Sequence, residues 1–363
     1  MKHKTAIVFG CYGQDGALIS KSLLAKNYTV IGISRKGLSH SRKLSKLGIN
    51  DQIHIEKGDI KNINFIENVI KKYEPDELCN LAAQSSVGKS FDNPINTFES
   101  IVNATINILQ ASKSLKYQGS IFFAGSSEIY GNTNEGATIN HVQDPKSPYG
   151  IAKQASFKLV KLFREVHHLK CMTGVLFNHE SAFRDKHFVT QKIISGAIKS
   201  SKDKKHKIEL GNINIARDWG WAEEYVEAMQ IIARSKEIKD QVICTGKLTT
   251  LEEFINIAYN QFDLRWQDHV IINNSLKRKN DVLKSFGNPD PLKDELNWQA
   301  TTDIEKFCQS LLSRSTRYIL CWPWSTSRSE FLLSNRSDDG NKNKVARSYL
   351  CMLQYPKIRH LMQ

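Results

Sequence analysis

Along the first 180 or so residues, short apolar runs alternate with stretches of helical period. Thr5 to Phe9 (TAIVF) is the first run, suited to a parallel strand buried on both faces. ALISKSLLAKN behind it reads as a helix. Tyr28 to Ile33 (YTVIGI) is the next strand, followed by Ile53 to Glu56, Asp76 to Leu81 and Ser120 to Ala124 (SIFFA). Helices are predicted over 62–72, over 94–115 and from Tyr149 to about Leu169, with a strand at 172–177. Strands spaced by helices predict βαβ units, and hence an α/β fold with a Rossmann-type, doubly wound parallel sheet.

After residue 178 the pattern is more polar and less regular. Helices are expected at 189–200, 221–234 and 251–262, strands at 207–210 and 241–245, and a last helix from Thr302 to Leu312. These elements predict a smaller C-terminal substrate-binding lobe, mainly 178–312, with return segments to a first domain that is mainly 1–177. Residues 313–363 (SRSTRYILCWPWSTSRSE and onward) show no sustained period and read as an atypical extension. No internal repeat is present.

The chain has 363 residues, of which 40% are hydrophobic and 24% charged, which excludes a disordered tail or a coiled coil. The formal charge is +14, which raises the question of nucleic acid. Its distribution answers that question. Residues 313–363 hold nine Lys and Arg against three Asp and Glu, so nearly half the excess lies in the extension. The run Lys199, Lys202, Lys204, Lys205, Lys207 is interrupted by Asp203 and carries no aromatics, so it reads as a solvated helix end. No nucleic-acid motif is present, and no nucleic-acid partner is expected. The amino terminus is too short in apolar residues for a signal-peptide core, and no run approaches the roughly 18 apolar residues of a membrane span. A cytoplasmic protein without a membrane partner is therefore expected. The seven cysteines are scattered, with no CxxC pair and no metal spacing, as expected of buried fillers in a reducing compartment.

Gly10, Gly13 and Gly16 form GxxGxxG between the first strand and the first helix, with Gln14 and Asp15 inside the motif. Such glycines permit a tight turn, close approach of a pyrophosphate, and close helix–sheet packing. Arg35 and Lys36 follow the second strand, where an acidic residue would suit an unphosphorylated ribose; a basic pair suits a 2'-phosphate and favours NADP. Asp59 and Ile60 after the third strand are placed against the adenine, and Leu81, Ala82 and Ala83 after the fourth let a cofactor lie close to the sheet edge. Tyr149 and Lys153 stand four apart in YGIAK, on one helix face. The lysine charge lowers the tyrosine pKa, making a general base for an alcohol being oxidised. Ser126 and Glu128 follow SIFFA at a strand end facing the ligand crevice. Ser126 would share the substrate hydroxyl, and Glu128 suggests a second proton transfer beside hydride transfer.

GCYGQDG, NLAAQSSV, SSEIYG, SPYGIAK, LFNHES, FVTQKI and LGNINIARDWG together make the chain resemble the extended short-chain dehydrogenase/reductases, and among them the nucleotide-sugar 4,6-dehydratases. FNHES and ARDWG point to the GDP-sugar branch more than to the dTDP-glucose branch. The resemblance covers roughly residues 3–312. It implies catalytic roles for Ser126, Glu128, Tyr149 and Lys153, and nucleotide-sugar contacts at Ser85, Ser126, Asn178, Glu180, Lys192, Arg217 and Arg278, with Arg184 in the same stretch. It also implies NADP as cofactor, a GDP-sugar as substrate and a homodimer or homotetramer. The implied activity is conversion of GDP-mannose to a 4-keto-6-deoxy product. A GDP-N-acetylhexosamine substrate, or an epimerase or reductase reaction, is the alternative. Three positions depart from the pattern: Ser86 replaces a usual histidine, Ser126 a usual threonine, and Arg278-Lys279 a usual Arg-Pro. The extension after 312 is not needed by the family; it is an added segment or the product of a shifted reading frame.

Overall fold

The computed structural model describes residues 3–37, 41–277 and 280–320, with side chains as far as 313. β1 (Lys4–Phe9) enters the glycine loop and α1 (Gln14–Ala25). β2 (Tyr28–Ser34), α2 (Arg42–Lys46), β3 (His54–Lys57), α3 (Ile63–Tyr73) and β4 (Glu77–Asn80) follow. Next come α4 (Val87–Asp92), α5 (Pro94–Phe98), α6 (Ala104–Ser114), β5 (Ser120–Ala124), α7 (Pro148–His167), β6 (Cys171–Leu176) and β7 (Asn178–Glu180). The later part holds α8 (Val189–Ser200), β8 (Ile208–Leu210), β9 (Ala216–Arg217), β10 (Trp219–Trp221), α9 (Ala222–Ala233), β11 (Gln241–Ile243) and β12 (Thr249–Thr250). It ends with α10 (Leu251–Asn260), β13 (Val270–Ile272), β14 (Lys284–Ser285), α11 (Asp290–Leu296) and α12 (Ile304–Leu320).

The strands of the main sheet lie in the order β11-β6-β5-β4-β1-β2-β3, and every pairing is parallel. This is the Rossmann-type sheet expected from the apolar runs. Successive side chains of a strand point to opposite faces, and the core follows that rule. Ala6 and Val8 enter the layer built with α1 and α9, where Ala17, Leu18, Tyr225 and Met229 are buried. Ile7 and Phe9 enter the other layer, with Ile66 of α3, Ile108 of α6 and Val160 of α7. At the amino-terminal edge, the buried Glu77 accepts two bonds from Arg234, at 2.8 and 3.2 Å, and one from Tyr28 Oη at 2.6 Å. Cys11, Cys79, Cys171, Cys244 and Cys308 are buried free thiols.

The chain divides into two compact units. The first comprises residues up to Phe183 with Asn214–Thr250 and Lys277–Thr302. It also holds two ribbons: β7 beside β10, and β9 between β12 and β14. The second comprises Arg184–Ile213, Leu251–Leu276 and the chain from Asp303. There β8 pairs with β13, Phe254 of α10 meets Phe307 of α12 at 5.8 Å, and Tyr259 stacks on His269. Among the described residues no helix is long and apolar enough to cross a membrane.

Two of the expected helices differ in extent, and the short elements α2, α4, β7, β9, β10, β12, β13 and β14 were not expected. The helix expected at 94–115 is α5 and α6 joined by a π turn, Glu99–Asn103. An extra residue is accommodated there, and Ser156 Oγ of α7 donates to the Ile101 carbonyl at 3.3 Å. The last helix does not stop at Leu312 but runs to Leu320. Extending an existing helix costs little per residue, and no proline interrupts the sequence before Pro323. The remainder of the extension, 321–363, lies outside the described residues.

Gly16 and Gly88 make opposite predictions. A Cβ at Gly16 would fall 2.2 Å from the Gly10 carbonyl oxygen, so Gly16→Ala should cost about 2 kcal/mol or more. At Gly88, within α4, the nearest atom to an added Cβ is 4.0 Å away. Gly88→Ala should therefore be neutral or stabilising by up to ~1 kcal/mol through helix propensity. Thermal unfolding of both variants checks the pair.

Candidate active site

The chain leaves β1 for β2 on one side and later returns to β4 on the other. Ligands of such sheets sit in the crevice at that switch, outside the carboxyl ends of the strands. There the backbone is unusually close. Gly10 has φ +84°, and a Cβ on it would lie 2.9 Å from the Ala82 backbone. Its carbonyl accepts the Gly13 N–H at 2.8 Å. Gly13 caps α1, whose first N–H groups have no partner within the helix and therefore favour an anion. Leu81, Ala82 and Ala83 are half-buried directly after β4. Arg35 and Lys36 are exposed in the turn after β2, and Tyr12 of the glycine loop ties that turn down by donating to the Gly37 carbonyl at 2.8 Å. Beyond β3, Asp59 accepts the Lys61 N–H at 3.0 Å and the Ile60 carbonyl accepts Asn107 Nδ2 at 3.2 Å. A glycine cradle against a second strand end, opening on a helix amino terminus, fits a dinucleotide.

The catalytic candidates converge on the end of β5. Ser126 and Glu128 occupy the turn that follows it, with Ser126 Oγ accepting the Glu128 N–H at 3.3 Å. α7 starts at Ser147, whose hydroxyl accepts the Gly150 N–H at 3.0 Å, and Pro148 opens its first turn. Tyr149 and Lys153 are both buried on this helix. Gly150 between them is a functional position that the sequence reading passed over. A Cβ there would come 2.7 Å from the Glu128 carbonyl oxygen, so the absent side chain lets α7 lie against the Ser126–Glu128 turn. Lys153 Nζ donates to the Ala124 carbonyl at 2.7 Å and lies 5.8 Å from the centre of the Tyr149 ring. Burial pushes the Lys153 pKa down to about 8, opposed by the charge of Asp15. Beside Lys153 is a cavity of about 10 Å³, lined also by Asn80, Ser156 and Thr173. The Thr173 hydroxyl is buried without a protein partner, and the space holds about one water.

Asn178 and Glu180 lie on β7, opposite Trp219 and Trp221 of β10. Arg217 is buried on β9, donates to the Ala216 carbonyl at 3.0 Å and stands 3.7 Å from Asp281. Ser85 is exposed ahead of α4. Ser86 caps α4 by accepting the Lys89 N–H at 3.4 Å. Lys192 lies on α8 of the second unit, and Arg184, also of that unit, packs over the Phe188 ring at 3.6 Å. Arg278 lies outside the described residues.

A further network was hidden inside two motifs. His179 Nε2 is 3.1 Å from Asp15 Oδ2, and its Nδ1 is 2.7 Å from the Phe177 carbonyl. That carbonyl only accepts, so Nδ1 carries a hydrogen. Gln14 Nε2 donates to Asp15 at 3.0 Å and to the His179 carbonyl at 3.2 Å, while Ser181 Oγ donates to Gln14 at 2.9 Å. Gln14 and Asp15 thus join the start of α1 to β7. FNHES carried the signal, but only its asparagine and glutamate have side chains that sequence reasoning assigns to a sugar.

The sequence profile of the family described as GDP-mannose 4,6 dehydratase matches residues 7–311. GDP-mannose 4,6 dehydratase 1 of Arabidopsis thaliana is 31% identical over 85% of this chain and 89% of its own length. GDP-mannose 4,6 dehydratase of Homo sapiens is 31% identical over 85% and 90%. Among solved structures, UDP-glucose 4-epimerase from Thermotoga maritima superposes with TM-score 0.77 at 19% identity, covering 87% of this chain and 99% of its own. dTDP-glucose 4,6-dehydratase from Bacillus anthracis, in complex with NAD, gives 0.76 at 17% identity, covering 88% and 98%. At those identities the structures establish the shared fold. The sequence matches go further: the chain belongs to the GDP-mannose 4,6-dehydratase family.

Proposed function

We propose that this protein converts GDP-D-mannose to GDP-4-keto-6-deoxy-D-mannose, with NADP as a resident cofactor and loss of one water. The observation that carries the reading is the Glu128 turn, packed at Gly150 against the helix of Tyr149 and Lys153. An epimerase or simple reductase needs the tyrosine and lysine but has no use for a carboxylate at this place.

The bound dinucleotide supplies the hydride acceptor and donor. Tyr149, as phenolate, takes the proton of the sugar 4-hydroxyl, and Ser126 Oγ hydrogen-bonds the same oxygen. The Lys153 ammonium stabilises the phenolate electrostatically. Once C4 is a ketone, the C5 proton is acidic. The Glu128 carboxylate removes it and delivers a proton to the 6-hydroxyl, which leaves as water; the hydride taken from C4 then returns to C6, and a proton returns to C5. Arg217 and Asn178 hold the diphosphate and sugar, with Glu180 and Ser85. A guanidinium matches a diphosphate through paired hydrogen bonds. The exposed pair Arg35 and Lys36 supports NADP over NAD.

The protein self-associates in this reading, as a homodimer or homotetramer. Phe91 lies on α4, Ile95 and Phe98 on α5 and Ile106 on α6, and Ile151, Leu162 and Val166 follow one another at helical spacing along α7. All are exposed, Ile95 by 76%. An apolar stripe of this kind fits a second copy of the same face.

Four outcomes test these assignments. Incubated with GDP-, dTDP-, UDP- and CDP-hexoses, the protein should give a product lighter by one water from GDP-mannose. A product instead from GDP-N-acetylglucosamine would shift the substrate. Glu128→Gln should lower that turnover about 100-fold or more while GDP-mannose still binds; full turnover would sink the assignment. Arg35→Asp should weaken NADP binding about tenfold relative to NAD, read by calorimetry, and an unchanged ratio would remove the 2'-phosphate role. Ile95→Glu should lower the mass seen by light scattering, whereas an unaltered assembly would place the interface elsewhere.

A further inference from the structure

Asp218 lies between β9, which carries Arg217, and β10, which pairs with the strand of Asn178 and Glu180. It is completely buried. A carboxylate at such depth is tolerated only among donors. Thr245 gives Oδ1 its N–H at 2.9 Å and its hydroxyl at 2.6 Å. Oδ2 accepts the Gly246 N–H at 2.9 Å and the Gly287 N–H at 3.4 Å. These donors come from the turn after β11 and the segment after β14, while the Asp218 N–H itself donates to the Ser285 carbonyl at 2.9 Å. The knot has no room for more: an added Cβ would meet Pro289 Cδ at 2.7 Å from Gly246, or Cys244 Sγ at 2.7 Å from Gly287.

The register makes the consequence local. Arg217 sits opposite Thr249 and Ser285 in one ribbon. Two residues on, Trp219 sits opposite Asn178 in the other. Asp218 is the residue between them, and the dehydration chemistry has no use for a carboxylate there. We propose that Asp218 is a positioning residue for sugar-nucleotide binding, its carboxylate fixing Arg217 of one ribbon relative to Asn178 of the other. This rests on the reading that Arg217 and Asn178 hold the GDP-sugar.

Protonation should loosen the knot, because a carboxylic acid places an O–H where N–H groups already point. Burial pushes the Asp218 pKa up to about 6, against the lowering effect of its hydrogen bonds. The titratable neighbours are Tyr225 of α9 and Cys244 after β11, both held neutral by burial, Asp290 near Cys244, the Arg217–Asp281 pair alongside, and His179 of β7, which stacks on Tyr225. A histidine also changes charge in this range, so Asp218→Asn is the variant that separates the two titrations.

The test is steady-state kinetics with GDP-mannose, together with dinucleotide affinity, from about pH 5 to about pH 8, on wild type, Asp218→Asn, Thr245→Val and Arg217→Gln. Wild-type KM should rise about tenfold as the pH falls through 6, the scale of one charge-assisted hydrogen bond, with dinucleotide affinity constant. Asp218→Asn should show the raised KM already at neutral pH, kcat within about twofold and no step near pH 6. Thr245→Val, which removes a single donor, should raise KM by about threefold and serves if Asp218→Asn does not fold. Arg217→Gln must raise KM; if it does not, the underlying site reading fails, and the proposal with it. If Arg217→Gln raises KM while the Asp218 or Thr245 variant leaves it unchanged, or the pH step persists in Asp218→Asn, the positioning role alone is overturned.

Discussion

The buried ammonium of Lys153 is the interaction on which the rest of the site depends. Removing a full charge from water costs several kcal/mol and must be met by partners in place beforehand. The structure meets it with the Ala124 carbonyl at the end of β5, with the nearby negative charge of Asp15, and with a polar cavity of about one water. Burial still lowers the lysine pKa to about 8, so the cation persists at neutral pH and faces a tyrosine one helical turn away. In the proposed reaction this charge stabilises the Tyr149 phenolate. Without the strand end, the charge would have no oxygen to rest on.

That arrangement follows from the direction of the strands. Seven parallel strands put all their carboxyl ends on one edge, so the glycine loop after β1, the alanines after β4 and the Ser126–Glu128 turn after β5 meet there. Small residues do the joining. Gly10 lets the first loop touch Ala82, Gly16 lets α1 cross the Gly10 carbonyl, and Gly150 lets α7 reach the Glu128 backbone. β7 and the two ribbons are tied in differently, by polar side chains: Gln14, Asp15 and His179 link α1 to β7, and Asp218 joins the two ribbons. Apolar packing fixes the sheet, and hydrogen-bonded carboxylates fix the irregular segments beside it.

The apolar runs were sufficient to read the order of the main-sheet strands and of the long helices between them, because a strand buried on both faces leaves no other choice of composition. GxxGxxG and Tyr-x-x-x-Lys were legible because each is local: its residues act through a single turn of chain. What could not be read was set by distant partners. Nothing in the sequence near Ile101 announces a π turn, which involves Ser156 of another helix. The pairing of Asp15 with His179 spans 164 residues. The burial of Asp218 depends on Thr245, Gly246 and Gly287, which lie 27 to 69 residues further along the chain. Leu312 looked like a helix end because the apolar stripe fades, whereas the backbone needs only the absence of a breaker to continue to Leu320.

The central claim is that one active site oxidises C4 of the sugar, removes water across C5 and C6, and returns the same hydride to C6. GDP-mannose deuterated at C4 tests it most directly. Nuclear magnetic resonance of the product should find the deuterium at C6 of the same sugar, with no loss to solvent. Deuterium retained at C4, or a C6 hydrogen drawn from a second molecule or from water, would contradict the account.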